Sequence, residues 1–554
     1  MKILKHLLIS ILLLLCKTTL FAQRDSVKSM GDENIIVVKD YKPILSDATK
    51  ISGMPGPDTS TFAEPVFNYN IEPKKTETNF NTSPIKPVKI KDENIKKLNK
   101  GYVKAGYGTH QTLYADAFYN ALRSKEFDAG VHLNYLSSTG SIKNYGKTDN
   151  NDIGLDAYGK KFTNLGVLSI GLGLETNTVR YYGYDRREII YSNSQTRQTF
   201  SGVNGNVVFD NATDKGSEIK YNAGVNFYGY RGKRPENKTG ESSFIFDGNI
   251  AKELFEHDAS IGVKLDYCKT SQPLLRDLSN TIFGLYPRYA LDVPSFKLLV
   301  GGNVEFETAD ETRYHFYPHA EARYKLASDV LSIFAKVTGG LQKHSYKEIT
   351  GINPFTGALV VPGNSNNKFE VSGGMNVKLD KEILFSADAS YNRVTDFLYY
   401  INNEQLDNEP VTFTNVYDDA EIIKVHGQLQ FERNEKFSFA LGAQYNNNKP
   451  DKLFKAWYVP AVKVNLSGNY SMQEKIIIKA DMFYNSTRYA PLYDGSFYTK
   501  LKPYFDANLG VEYRYSKQLS AFVQFNNIGS VQYFNWYNYP SYRFQAMAGV
   551  TYSF

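Results

Sequence analysis

Two histidines, His315 and His319, stand four residues apart in TRYHFYPHAEARYKL. On a helix that spacing would let two imidazoles share one metal ion; on a strand it places them about 13 Å apart at roughly 3.3 Å per residue. The strand reading makes them wall or rim residues, and no cofactor is called for. The chain has no HExxH, P-loop, CxxC or GxSxG, and it reads as a non-enzyme. Two other groups could do binding chemistry. RYYGYDRR carries Tyr181, Tyr182 and Tyr184, and YFNWYNYPSY carries Tyr533, Phe534 and Trp536. Their flat faces suit stacking on a sugar or another ligand. The third group is the DENIIVV stretch, with Asp32 and Glu33 ahead of the β-branched run Ile35, Ile36, Val37 and Val38. Such a run can add its backbone as a strand to a partner's sheet edge.

The elements that must position these residues begin with MKILKHLLISILLLLCKTTLFAQ, which has Lys2 and Lys5, an apolar run from Leu7 to Cys16, and Ala22 before Gln23. The run is too short to span a bilayer and reads as a secretory signal peptide, residues 1–22. Cutting there removes Lys2, Lys5 and Lys17, so the formal charge falls from +6 to 6 − 3 = +3. That balance gives no reason to expect nucleic acid. Only Cys268 then remains of the two cysteines, which rules out an intramolecular disulfide. The 554 residues include 42 Tyr, 35 Phe and 41 Gly against 2 Trp, and mean hydropathy is −0.42. No second apolar run is long enough for a membrane helix. An exported chain rich in β-favouring aromatics and too polar for membrane helices fits a transmembrane β-barrel, whose strands show lipid only every second residue.

Alternation of period two supports this reading. FDAGVHLNY sets Phe127, Ala129, Val131, Leu133 and Tyr135 on one face, against Asp128, His132 and Asn134 on the other. IKYNAGVNFYG and ASIGVKLDY repeat the pattern, with Lys220, Lys264 and Asp266 on the polar face. From residue 101 the connections alternate short and long. Ten are short, among them TNLG, LFEHDA, DKE, RNEK, MQEK and SKQ. The longer ones include YGYRGKRPENKTGES, QKHSYKEITGINPFTGALVVPGNSNN and LYYINNEQLDNEPVTFTNVYDD. With both termini on the short-turn side, ten short turns imply eleven long loops and 22 strands. The expected fold is all-β: a transmembrane antiparallel up-and-down barrel over 101–554. The last strand, RFQAMAGVTYSF, ends with Val550, Tyr552 and Phe554 in phase on the apolar face, the pattern of a barrel-assembly signal. In such a barrel the tyrosine-rich loops equally suit the aromatic girdle and rim that fix its height in the membrane.

The segment Phe522 to Phe554 resembles the final hairpin of TonB-dependent receptors. It has Asn526 and Asn527 at a strand end, an aromatic loop with Tyr533, Phe534 and Trp536, a Tyr539–Pro540 step, Arg543, and then the terminal strand. The resemblance implies an outer-membrane location, an outer-membrane lipid environment, the barrel-assembly machinery during biogenesis and TonB as an energising partner; Asp32 to Val38 resembles a TonB box. The chain departs from that family before the barrel. Residues 23–100 hold Pro43, Pro55, Pro57, Pro65, Pro73, Pro84 and Pro87, so they form an extended periplasmic arm rather than the family's longer globular plug. Three functions follow. The chain is a TonB-dependent-like transporter whose arm or loops occlude the pore, a non-transport barrel of an envelope complex whose arm recruits a periplasmic partner, or a passive porin. The resemblance favours the first.

Overall fold

A computed structural model describes residues 99–554, except 122–123, 212–217, 235–236, 274–275, 310, 327–329, 404–409, 434–435, 493–494 and 496. The signal peptide, the TonB-box-like residues and all of the arm but residues 99–100 lie outside the described residues.

The described chain forms one 22-stranded antiparallel sheet that closes on itself, as the strand count requires. Closure is made by the terminal strand Gln545–Ser553, which pairs on one side with Leu519–Asn526 and on the other with Gly101–Gly108. Phe554 completes the seam. Its carbonyl accepts from the amides of Lys100 (2.6 Å) and Gly101 (3.2 Å), and its own amide donates to Gly101 (3.0 Å). A closed sheet leaves no unpaired edge, the condition for placing backbone in hydrocarbon. Val550, Tyr552 and Phe554 all point outward and are exposed. Deleting Phe554, or substituting Phe554→Asp, is therefore expected to lower the yield of heat-modifiable barrel in outer membranes. An unchanged yield would show that this seam is dispensable.

Outward positions carry apolar side chains, such as Phe127, Val131 and Leu133, or Ile170, Leu172 and Leu174. Inward positions carry a polar lumen. There Asp116 binds His132 Nε2 (2.9 Å) and the Tyr102 hydroxyl, and buried Asp266 is held by Lys343 and by Lys264 (3.5 Å). His315 and His319 also sit in the wall: His315 Nε2 meets Glu307 (3.1 Å), and His319 Nδ1 meets Thr338 Oγ1 (3.0 Å). Among the described residues no group of three or more His, Cys, Asp or Glu is placed to hold a metal ion.

Each of the ten short connections lies between two consecutive strands, as the spacing predicts. The opposite rim differs from expectation. Four of its eleven connections, 109–111, 234–237, 272–277 and 309–311, are only three to six residues long. YGYRGKRPENKTGES is not a long loop, because the strands Ile219–Lys233 and Lys238–Leu254 run through most of it. Likewise GNSNN opens the strand Gly363–Asp380. The strands Ile383–Asn402 and Phe413–Arg433 have 20 and 21 residues, about twice what crossing a bilayer needs. Towards the rim their inward residues, such as Tyr400 and Phe413, pack in hydrophobic clusters with the loops, so the lipid-facing alternation stops although the ladder continues. With long loops outside, an epitope between Ser192 and Ser194 is expected to be reached by antibody on intact cells, whereas one within 381–382 is not. The reverse pattern would invert the topology.

Candidate functional site

The loops at the long-loop rim fold over the barrel mouth and pack on one another. The crossing piece is 345–362. Ser345 starts its helix, Tyr346–Ile352, through a reciprocal capping box: Glu348 N donates to Ser345 Oγ (3.2 Å) and Ser345 N to Glu348 Oε2 (3.1 Å). The exposed amides of the first turn need acceptors. Buried Glu241, on the strand Lys238–Leu254, takes those of Tyr346 (2.6 Å) and Lys347 (3.1 Å). The same carboxylate accepts from Thr270 Oγ1 (2.8 Å) and the Tyr228 hydroxyl (2.9 Å), so four donors converge on it. Lys347 reaches Glu175 (2.6 Å) and lies over the rings of Tyr228 and Tyr230.

Beyond the anchor, Tyr346 and Ile349 are fully buried with Phe200, Tyr230, Val360 and Tyr400. Phe200 and Tyr400 stand on Arg197–Asp210 and Ile383–Asn402, the sixth and fifteenth strands of the ring of 22. Those strands are 15 − 6 = 9 places apart, close to the maximum of eleven. One short segment thus touches nearly opposite walls. The Tyr400 hydroxyl donates to the carbonyl of Ile349 (2.8 Å), and Gln272 Nε2 donates to that of Val360 (2.7 Å).

The aromatic residues singled out in the sequence all lie in this layer. The Tyr181 hydroxyl donates to Thr356 O (2.6 Å) and contacts Gln198. Tyr182 donates to Pro540 O (3.1 Å) and meets Phe355 and Tyr539 edge-on. Phe355 and Tyr539 stack at 3.9 Å. Tyr184 is buried against Tyr191. Tyr533 stacks on Tyr504 at 3.9 Å and donates to Asp506 (2.9 Å). Trp536 packs on Tyr400, Phe413 and Tyr458. The Phe534 carbonyl accepts from Arg488 Nη2 (2.6 Å), on the hairpin strand Arg488–Leu492. Burial pushes the Tyr181 phenol up to about 12, raises Tyr182, Tyr458 and Tyr539 as well, and lowers Arg488. These tyrosines therefore stay neutral donors at physiological pH. Tyr182, Tyr184, Tyr533 and Trp536 already pack against other rings, and Tyr181 is buried, so much of this aromatic surface is taken up within the layer.

Sequence reasoning missed Glu241, Tyr346, Ile349 and Arg488. The helix had a legible signal, Ser345-x-x-Glu348 ahead of Ile349, whereas Glu241 had no local one.

No protein-family model matches the sequence, and no curated protein matches it. Solved structures do resemble the fold. The FrpB iron transporter from Neisseria meningitidis superposes with a TM-score of 0.65 at 11% identity, over 83% of this chain and 82% of that one. The siderophore receptor PirA from Acinetobacter baumannii gives 0.62 at 12%, over 83% and 81%. The ferric-catecholate import receptor Fiu from E. coli K12 gives 0.62 at 11%, over 82% of each chain. At such identities the likeness is one of fold: the barrel resembles that of TonB-dependent outer-membrane receptors.

Proposed function

We propose that this protein is an outer-membrane receptor of the transporting type, with a pore held shut by its own loops and N-terminal arm until a ligand or an energising partner opens it. The observation that carries the reading is the interlocked layer of 181–196, 345–362 and 527–544 across a 22-strand barrel with a polar lumen. A barrel of that size left open would breach the permeability barrier. The fold likeness to iron and siderophore receptors supports a transported ligand bound from outside. Asp32, Glu33 and Ile35 to Val38 would then pair with the periplasmic domain of TonB.

Photo-crosslinking from Ile36 tests this reading. A crosslink to TonB that is lost in an Ile35→Pro, Val37→Pro variant, with the barrel still inserted, is the expected result. The ring-on-ring packing of the aromatic layer favours a second reading, a lidded barrel that serves an envelope complex. In that case Ile36 gives no TonB adduct, and a periplasmic partner is captured through 39–97 instead.

A further inference from the structure

The ring of strands closes, yet one of its seams is joined over only half its height. The strands Thr312–Leu326 and Leu331–His344 pair from Leu326↔Leu331 up to Ala320↔Val337, and there the ladder stops. Towards the long-loop rim Leu331–His344 keeps its pairing with Gly363–Asp380, whereas among the described residues 312–319 pair only with the preceding strand, Phe296–Thr308. Two irregularities turn the upper part of Leu331–His344 away: its register slips at Thr338/Gly340, and on the strand beyond it Lys368 is passed over between Asn367 and Phe369. Bulges of this kind bend a strand. The bend is inward, because inward side chains of Phe296–Thr308 reach past 312–319 to the displaced backbone: Asn303 Nδ2 donates to Gly339 O (2.6 Å) and Leu341 N to Glu305 Oε2 (2.7 Å). Tyr317 fills the step between, its hydroxyl donating to Asn366 Oδ1 (2.8 Å), and a Cβ on Gly339 would meet its ring at 2.6 Å.

The place left in the wall is bordered by a free strand edge. Lys325 N donates back to Ser295 O (2.8 Å), and the pairing with Phe296–Thr308 runs without a slip, so the odd residues of Thr312–Leu326 turn their backbone groups to that strand and the even ones turn theirs to the gap. Facing the gap are therefore the amides of Tyr314 and Phe316 and the carbonyls of Tyr314, Phe316 and Pro318. Pro318 has no amide hydrogen to offer, which suits an edge. Tyr314 and Phe316 are 73% and 70% exposed, against 44% for an outward ring such as Phe227, so this edge stands out from the wall. A strand crosses a bilayer in about 9–11 residues, so counting up from Leu326 the edge begins inside the outer half of the membrane and ends at its surface. Unpaired backbone is costly there, and a row of donors and acceptors at strand spacing is matched by another strand. The connection beside it, 309–311, is three residues long and leaves a low rim. We propose that 312–319 is a docking edge for an extended segment of a second protein, which enters from the cell-surface side and completes the wall as an added strand. Its outward side chains would be apolar, continuing the row of Tyr314 and Phe316 into lipid, and would alternate with small or polar ones facing the displaced strand. The proposal needs only the membrane setting of the barrel and is independent of what the loop layer admits.

Hydrogen exchange and native mass spectrometry of the full chain in detergent test it with two probes, an acetylated peptide of alternating Val and Thr and its fully N-methylated form. Without peptide the amides of Tyr314 and Phe316 should exchange fast, in contrast to those of Arg313 and His315, which face the paired side. The unmodified peptide should be retained as an adduct and slow the two amides by about tenfold, while the N-methylated form does neither. Tyr314→Pro with Phe316→Pro removes only donors that face the gap, so the barrel should stay heat-modifiable and the adduct should be lost. Tyr314→Leu with Phe316→Leu keeps the edge and should keep the adduct. Slow exchange at both amides without peptide would mean that the ladder continues and overturns the proposal. Absence of an adduct, equal retention of both peptides, retention in the proline variant or loss in the leucine one overturns it as well. Dimers of the full chain that the proline pair abolishes would make the occupant a second copy and overturn it too.

Discussion

Replacing residues 346–361 with a short Gly-Ser linker is expected to give a steady, wide channel in planar bilayers, with conductance about tenfold or more above that of the full chain for a barrel of this diameter. Cells carrying the variant should become sensitive to bulky antibiotics. The reasoning rests on position. The helix Tyr346–Ile352 and the stretch after it touch strands nine places apart in the ring. Removing it also strips Phe355 from Tyr539 and Thr356 from Tyr181, which takes one contact from each of 527–544 and 181–196. The barrel should insert normally, because its 22 ladders do not use these residues. Deleting 32–97 alone separates the two possible seals. If that deletion opens the pore while excision of the loop does not, the arm is the gate and the loop layer is only a lid above it.

The second large effect is expected at Glu241. Its carboxylate accepts four hydrogen bonds, two of them from the first-turn amides of the crossing helix. Glu241→Ala leaves those amides and the Tyr228 and Thr270 hydroxyls without their acceptor in a buried setting. A hydrogen bond to a charged group contributes about 1.5–3 kcal/mol, and each orphaned donor adds its desolvation cost. A loss of about 3 kcal/mol for the loop corresponds to a roughly 100-fold drop in amide protection over 345–353. Hydrogen exchange by mass spectrometry reads it directly. Exchange in the membrane strands should not change, and Glu241→Gln should fall between the two, since the amide oxygen still accepts. Unaltered protection in Glu241→Ala would mean that the apolar packing of Tyr346 and Ile349 alone holds the loop.

Both effects arise in the part of the molecule that was hardest to read in advance. The barrel is built from rules that act between neighbours: side chains alternate with period two, a turn of two to eight residues reverses the chain, and each strand pairs with the next. Phe127 to Tyr135 or Ile261 to Tyr267 therefore declare their faces within nine residues, and the ten short turns set the count at 22. The height of the strands was not legible in the same way. Alternation is visible only where one face meets lipid, and Gly363 to Asn367 continue the ladder beyond that zone with polar residues on both sides.

The loop layer follows no local rule. Tyr181 meets Thr356 across 175 residues, Tyr539 meets Val411 across 128, and Tyr542 meets Thr148 across 394. The sequence marked Tyr181, Tyr182, Tyr184, Tyr533, Phe534 and Trp536 as a concentration of aromatic surface. Only closure of the ring brought the loops to a common mouth, where those rings could bury one another. By itself the sequence determined an outward apolar band, an inward polar wall and the number of strands, because each depends on residues one, two or a few places apart. Which loops meet, which carboxylate anchors them and which seam is joined over only half its height were decided by the tertiary structure, because curvature, register and closure set those distances.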